Sequence, residues 1–123
     1  MRKLLVMLVV VSIMGALAAT AWAAKTRTVG VDDNVFLYKG KAAGTIKIKT
    51  GDRMVWRWKA GGTVEQHNVY IRDLTRKKDV TRSGEGFKTS GSVKKTFKRT
   101  GKYRVICELH PSQMRMTIRV GRR

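Results

Sequence analysis

The chain is 123 residues long and carries 27 lysines and arginines against eight acids, a net charge of +19. That balance favours anionic partners: acidic proteins, anionic lipid or envelope polymers, or nucleic acid. A single cysteine excludes an internal disulfide framework, and the length leaves room for one domain.

The first element in chain order is a targeting segment. Met1-Arg2-Lys3 is a short positive start, Leu4 to Met14 is almost wholly apolar, and Ala21-Trp22-Ala23 places small residues at −3 and −1. This order predicts a signal peptide over residues 1–23, cleaved before Ala24. A retained anchor fits less well, because Ser12, Gly15 and Thr20 interrupt a run already short of the ~20 apolar residues a span needs. Cleavage would leave residues 24–123 with a charge of about +17, since Arg2 and Lys3 go with the signal. An exported protein, whether periplasmic, cell-surface or secreted, has no natural nucleic-acid partner, and it is expected to act as a monomer. A lone cysteine in an oxidising compartment must be buried or ligated to escape oxidation.

After Ala24 the sequence reads as short strands and turns. From Gly44 to Asp52, Ile46 and Ile48 alternate with lysines before a turn at Gly51-Asp52. Met54, Trp56 and Trp58 share one face of the next strand, which Gly61-Gly62 ends. His67, Val69 and Ile71 fall in step across another strand. Arg72 to Ser92 reads as a long connection or a weak strand pair, and Val93 to Phe97 as a strand. Thr100-Gly101 turns into a strand with Tyr103, Val105 and Cys107 on one face. Met114, Met116, Ile118 and Val120 share the inner face of the last strand, with Arg115, Thr117 and Arg119 opposite. No segment after residue 24 has sustained helical periodicity, so the fold class is all-β, an antiparallel sandwich or barrel.

The chemistry lies in Cys107-Glu-Leu-His110-Pro-Ser-Gln-Met114, where a strand gives way to a loop and the last strand begins. With His67 about forty residues upstream, the only cysteine and both histidines are placed to converge. Thiolate and thioether sulfur suit Cu(I) and imidazole suits Cu(II), so two histidines, a cysteine and a weak methionine serve both states of copper with little rearrangement. Singly, each residue has a plainer reading. Methionine is ordinary core filler, which is the better account of Met54 and Met116, and a lone inward histidine or cysteine is commonly a packed core residue. Trp56, Trp58 and Tyr103 read as core. Together, the plainer readings require four coincidences.

His67-Asn68-Val69, followed by Gly101-Lys-Tyr-Arg-Val-Ile-Cys107, His110-Pro111 and a methionine, resembles the plastocyanin and amicyanin branch of the cupredoxins over Thr45 to Val120. The resemblance implies a Greek-key β-sandwich and one type 1 (blue) copper ion held by His67, Cys107 and His110, with Met114 axial. It implies that Asn68 ties the two ligand-bearing loops together by hydrogen bonds. It also implies that electrons leave through the edge of His110, within a patch to which Pro111 and Leu109 contribute. Three residues separate His110 from Met114, where amicyanin-like loops have two and plastocyanin-like loops four. Gln113 and Met116 are therefore rival axial candidates. Strand parity favours Met114, placing it with Ile118 and Val120 and Gln113 on the other face.

Two functions suit this ligand set: a one-electron carrier between redox partners, expected to be acidic given the charge, and a copper protein for storage or delivery. Adhesion to an anionic membrane or cell wall is a separate use of the basic excess. Enzymatic readings fit less well. A Cys-His nucleophile lacks a third orienting residue, catalytic zinc does not call for the methionine, and multicopper oxidation needs more than two histidines.

Overall fold

The computed structural model describes residues 23–123; the signal-peptide expectation falls outside the described residues. Ten strands run in chain order: β1 (Thr26–Asp32), β2 (Val35–Tyr38), β3 (Lys41–Ala42), β4 (Thr45–Lys49), β5 (Arg53–Trp58), β6 (Tyr70–Asp73), β7 (Lys78–Asp79), β8 (Ser92–Thr96), β9 (Gly101–Ile106) and β10 (Arg115–Gly121). One sheet is ordered β3-β2-β1-β5-β8 and the other β4-β10-β9-β6-β7. Pairing is antiparallel except for β1 with β5 and β10 with β4. Two five-stranded sheets, with no helix among the described residues, make the expected β-sandwich.

Alternation explains the layers. In β4, Ile46 and Ile48 are buried while Thr45, Lys47 and Lys49 are exposed. In β10, Met116, Ile118 and Val120 point inward and Arg115 and Arg119 outward. A period of two with one apolar face is what a half-buried strand requires. Both inner faces meet in a core that includes Val29, Val31, Phe36, Met54, Trp56, Ile71, Phe97, Val105 and Ile118. Trp58 and Tyr103 are also core residues, and each has a partner for its polar atom: Trp58 Nε1–H donates to Lys88 O at 2.9 Å, and the Tyr103 hydroxyl to Arg99 O at 2.9 Å.

Two details differ from the sequence reading. β6 begins only at Tyr70, and His67 sits before it in an isolated bridge with Lys88, although His67, Val69 and Ile71 are all buried as parity requires. β1 to β3, before Thr45, complete the first sheet and bring the β1–β2 turn, with Asn34 at φ 60°, beside His67. Gly101 opens β9 at φ 145°, where a Cβ would come within 2.9 Å of Thr75 Oγ1, so only glycine fits.

Candidate metal centre

Four segments meet at one end of the sandwich: the β1–β2 turn, the stretch leading into β6, the end of β9 and the β9–β10 connection. The connection is short and closed on itself. The His110 amide donates to Cys107 O at 3.1 Å, the Met114 amide to His110 O at 2.8 Å, and the Cys107 amide to Met114 O at 3.0 Å. The strand pair thus fixes Cys107 and Met114 opposite each other, and the turn between them presents His110.

His67, Cys107 and His110 each offer one donor atom, and these atoms lie within 4.8 Å of one another. Cys107 Sγ is 3.8 Å from His67 Nδ1 and 3.7 Å from His110 Nδ1. The imidazole rings are tilted at 51° with centroids 5.0 Å apart. His67 and Cys107 are fully buried, and His110 keeps 18% of its side chain exposed.

The far sides of the rings decide which nitrogen is free. His67 Nε2 lies 3.1 Å from Asp33 Oδ1, and His110 Nε2 lies 2.8 Å from Glu65 Oε2. A carboxylate only accepts, so each Nε2 is the donor to it, and Nδ1, the acceptor of a ring so oriented when neutral, faces the thiol. Asp33 is itself fixed. The Val64 and Glu65 amides donate to its two oxygens at 3.0 and 3.1 Å, and these bonds hold its carboxyl well below the usual range. Two imidazole nitrogens around a buried thiol are a set of soft and borderline donors, and copper in both its oxidation states fits them.

Asn68 links the segment of His67 to that of Cys107 by hydrogen bonds. Buried to 1% exposure, it accepts from the Glu108 amide at 2.9 Å and donates to Glu108 Oε1 at 2.8 Å and Glu85 O at 3.1 Å. Burial pushes the Glu108 carboxyl up, but donors from Ser83, Gly84 and Asn68 outweigh it and the net shift is downward. Of the axial candidates, Met114 is fully buried, Gln113 is exposed, and Met116 is buried farther along β10 opposite Val105. Pro111 and Leu109 are exposed beside His110, and Val64, next to Glu65, is the other large hydrophobic exposed among the described residues.

Sequence reasoning missed Asp33, Glu65 and Glu108. Glu108 follows the cysteine directly and could have drawn notice; Asp33 and Glu65 are distant from the histidines they hold and match no local pattern.

The family model for copper binding proteins of the plastocyanin/azurin family matches residues 25–121. No curated protein sequence gives a significant match. Among solved structures, amicyanin from Paracoccus versutus (Thiobacillus versutus) is similar at 23% identity and a TM-score of 0.59, over 78% of this chain and 81% of that one. A purple cupredoxin from Nitrosopumilus maritimus is similar at 16% identity and a TM-score of 0.55, over 77% of this chain and 99% of that one. At these identities the likeness speaks for the fold, while the family match extends through all four segments that build the site. The chain belongs to the plastocyanin/azurin family of copper-binding proteins.

Proposed function

We propose that this protein is an exported one-electron carrier in which His67, Cys107, His110 and, weakly, Met114 hold a single copper ion. Copper, when bound, supplies the one-electron couple. The chain's own residues keep the donors still. Asp33 and Glu65 orient the two imidazoles, Asn68 locks the Cys107 segment to the His67 segment, and the closed β9–β10 turn fixes Cys107 against Met114. The observation that carries the reading is the pair of carboxylate-held histidines around one buried thiol. A site braced in this way disfavours rearrangement, which serves electron transfer better than uptake and release of copper as cargo.

His110 is the exit, because its ring is the one donor with an exposed edge. A redox partner would dock on the exposed apolar side chains around it, Leu109, Pro111 and Val64. Acids flank this end: Glu65 on His110, Asp33 on His67, and Glu108 on Asn68. The expectation of an acidic partner therefore concerns long-range approach, and apolar contact carries the docking itself.

Voltammetry and self-exchange of the copper-loaded protein test the reading. A reversible one-electron wave with rapid self-exchange supports the carrier. A colourless site that accepts only Cu(I) overturns it in favour of storage or delivery. Export is tested by sequencing the N-terminus of protein recovered from its host, where a chain beginning at Ala24 is expected and one beginning at Met1 contradicts it.

A further inference from the structure

A cluster of cations gathers at the end of the sandwich away from the metal centre. Lys102 is the second residue of β9, five before Cys107, and Arg119 lies five residues beyond Met114 on β10, so both sit roughly 17 Å from the metal centre along their strands. At that far end a groove of about 550 Å³ is lined by Lys25, Lys47, Lys49, Lys102 and Arg119, together with Arg27 and Arg123 around Asp52. Asp52, the one acid of the groove, is already engaged: it accepts from the backbone amides of Lys25 and Lys49 and pairs with Arg27 and Arg123.

The register makes the remaining cations harder to explain as ordinary surface. Arg119 stands directly opposite Lys47 on β4 and directly opposite Lys102 on β9. Three like charges in one row across three adjacent strands repel one another and weaken the sheet. Among the described residues, none of the three makes an ion pair with an acid. An arrangement that costs stability and that nothing inside the molecule offsets is suited to a ligand that brings the negative charge.

We propose that this basic end docks on the surface of an anionic lipid bilayer, leaving the metal centre facing away from it. One observation favours a membrane over a soluble polyanion. Among the described residues the chain enters the fold at this end, where Lys25 lines the groove, and the apolar sequence Leu4 to Met14 precedes it in the chain. On the reading of that sequence as an export segment, this end of the protein would be the one brought to the lipid. Charge alone would hold the contact: the large hydrophobics exposed among the described residues, Val64 and Leu109, lie at the other end, and no helix among those residues is long and apolar enough to cross a membrane. Each lysine or arginine held near an anionic surface strengthens binding severalfold, within a Debye length of roughly 8 Å at physiological ionic strength.

Sedimentation of the exported protein with vesicles tests this directly. Binding to mixed phosphatidylcholine and phosphatidylglycerol vesicles is expected, with none to phosphatidylcholine alone and steep loss on adding salt. The triple variant Lys47→Glu, Lys102→Glu, Arg119→Glu should bind about a hundredfold more weakly. A variant with the same net charge, Lys41→Glu, Arg57→Glu, Arg82→Glu, should bind nearly as the parent does. Melting curves establish that both variants fold, and the neutral triple to Gln replaces the first should it fail to. Equal losses in the two triples would make the binding a property of net charge and overturn the assignment to this face. Binding of inorganic polyphosphate without binding to the anionic vesicles would also overturn it, in favour of a soluble polyanion.

Discussion

Replacing Asn68 with alanine removes the clamp between the two ligand-bearing segments, and its cost can be worked from the contacts. Three hydrogen bonds disappear: from the Glu108 amide at 2.9 Å, to Glu108 Oε1 at 2.8 Å and to Glu85 O at 3.1 Å. The site is buried, so water does not readily replace them, and at about 1 kcal/mol each the loss is about 3 kcal/mol. For a domain of about 100 residues that lowers the melting temperature by more than ~10 °C. The same change frees the Cys107 segment from the His67 segment, and copper affinity should fall by roughly 10- to 100-fold, as for other residues that orient ligands. Asn68→Asp separates clamp from shape. It keeps the acceptor for the Glu108 amide but sets a second carboxylate against Glu108, so it should destabilise at neutral pH and recover partly as acid protonates one of the pair. Ser83→Ala, which removes an exposed bond to the same Glu108, should change stability by less than ~0.5 kcal/mol. Thermal melts of apo-protein and competitive copper titrations read these effects. A shift below ~3 °C for Asn68→Ala, with unchanged copper affinity, would refute the clamp.

Other expectations follow from the same geometry. Met114→Leu should keep stability within about 1.5 kcal/mol and raise the reduction potential, whereas Met116→Leu and Gln113→Ala should leave the potential in place; the reverse pattern by voltammetry reassigns the axial ligand. Met114→Ala should cost about 2–5 kcal/mol through the cavity it leaves in a fully buried position, read by chemical denaturation. Glu65→Ala should loosen His110 and weaken copper binding by roughly 10- to 100-fold, and unchanged affinity in a competitive titration would remove Glu65 from the site. Asp52 and Asp73 are pushed up by burial, but backbone amides and arginines outweigh it, and both carboxyls sit below the ordinary value of 3.8. Groups depressed on folding stabilise above their unfolded pKa and lose that contribution as pH falls, so melting of the apo-protein should hold steady above about pH 5 and decline in more acid solution. Asp52→Asn should flatten that decline.

Much of this was legible in the sequence because it is local. Ile46 with Ile48, Tyr103 with Val105, and Met116 with Ile118 each announce a strand by alternation alone, and the same parity places Met114 inward and Gln113 outward. The residue types from Cys107 to Met114, taken with His67, pointed to copper, and the structure brings His67, Cys107 and His110 together. What stayed hidden depends on closure of the chain over long distances. Val29 and Val31 alternate as a strand should, yet nothing in their neighbourhood tells that β1 lies parallel to β5 and brings Asp33 to His67, 34 residues away. Glu65 reads as an ordinary surface acid, half exposed, until the turn after Cys107 swings His110 onto it. The row of cations at the far end is likewise invisible in a composition, because Lys47, Lys102 and Arg119 become neighbours only when β4, β10 and β9 pair.

The most direct test of the copper assignment is the visible absorption spectrum during titration of the purified protein with Cu(II), alongside Cys107→Ser. The account predicts one equivalent bound, an intense visible band from thiolate-to-copper charge transfer, loss of that band in Cys107→Ser, and a higher melting temperature for the loaded protein. A stoichiometric but colourless Cu(II) complex of the intact chain, or a band that survives Cys107→Ser, would contradict it.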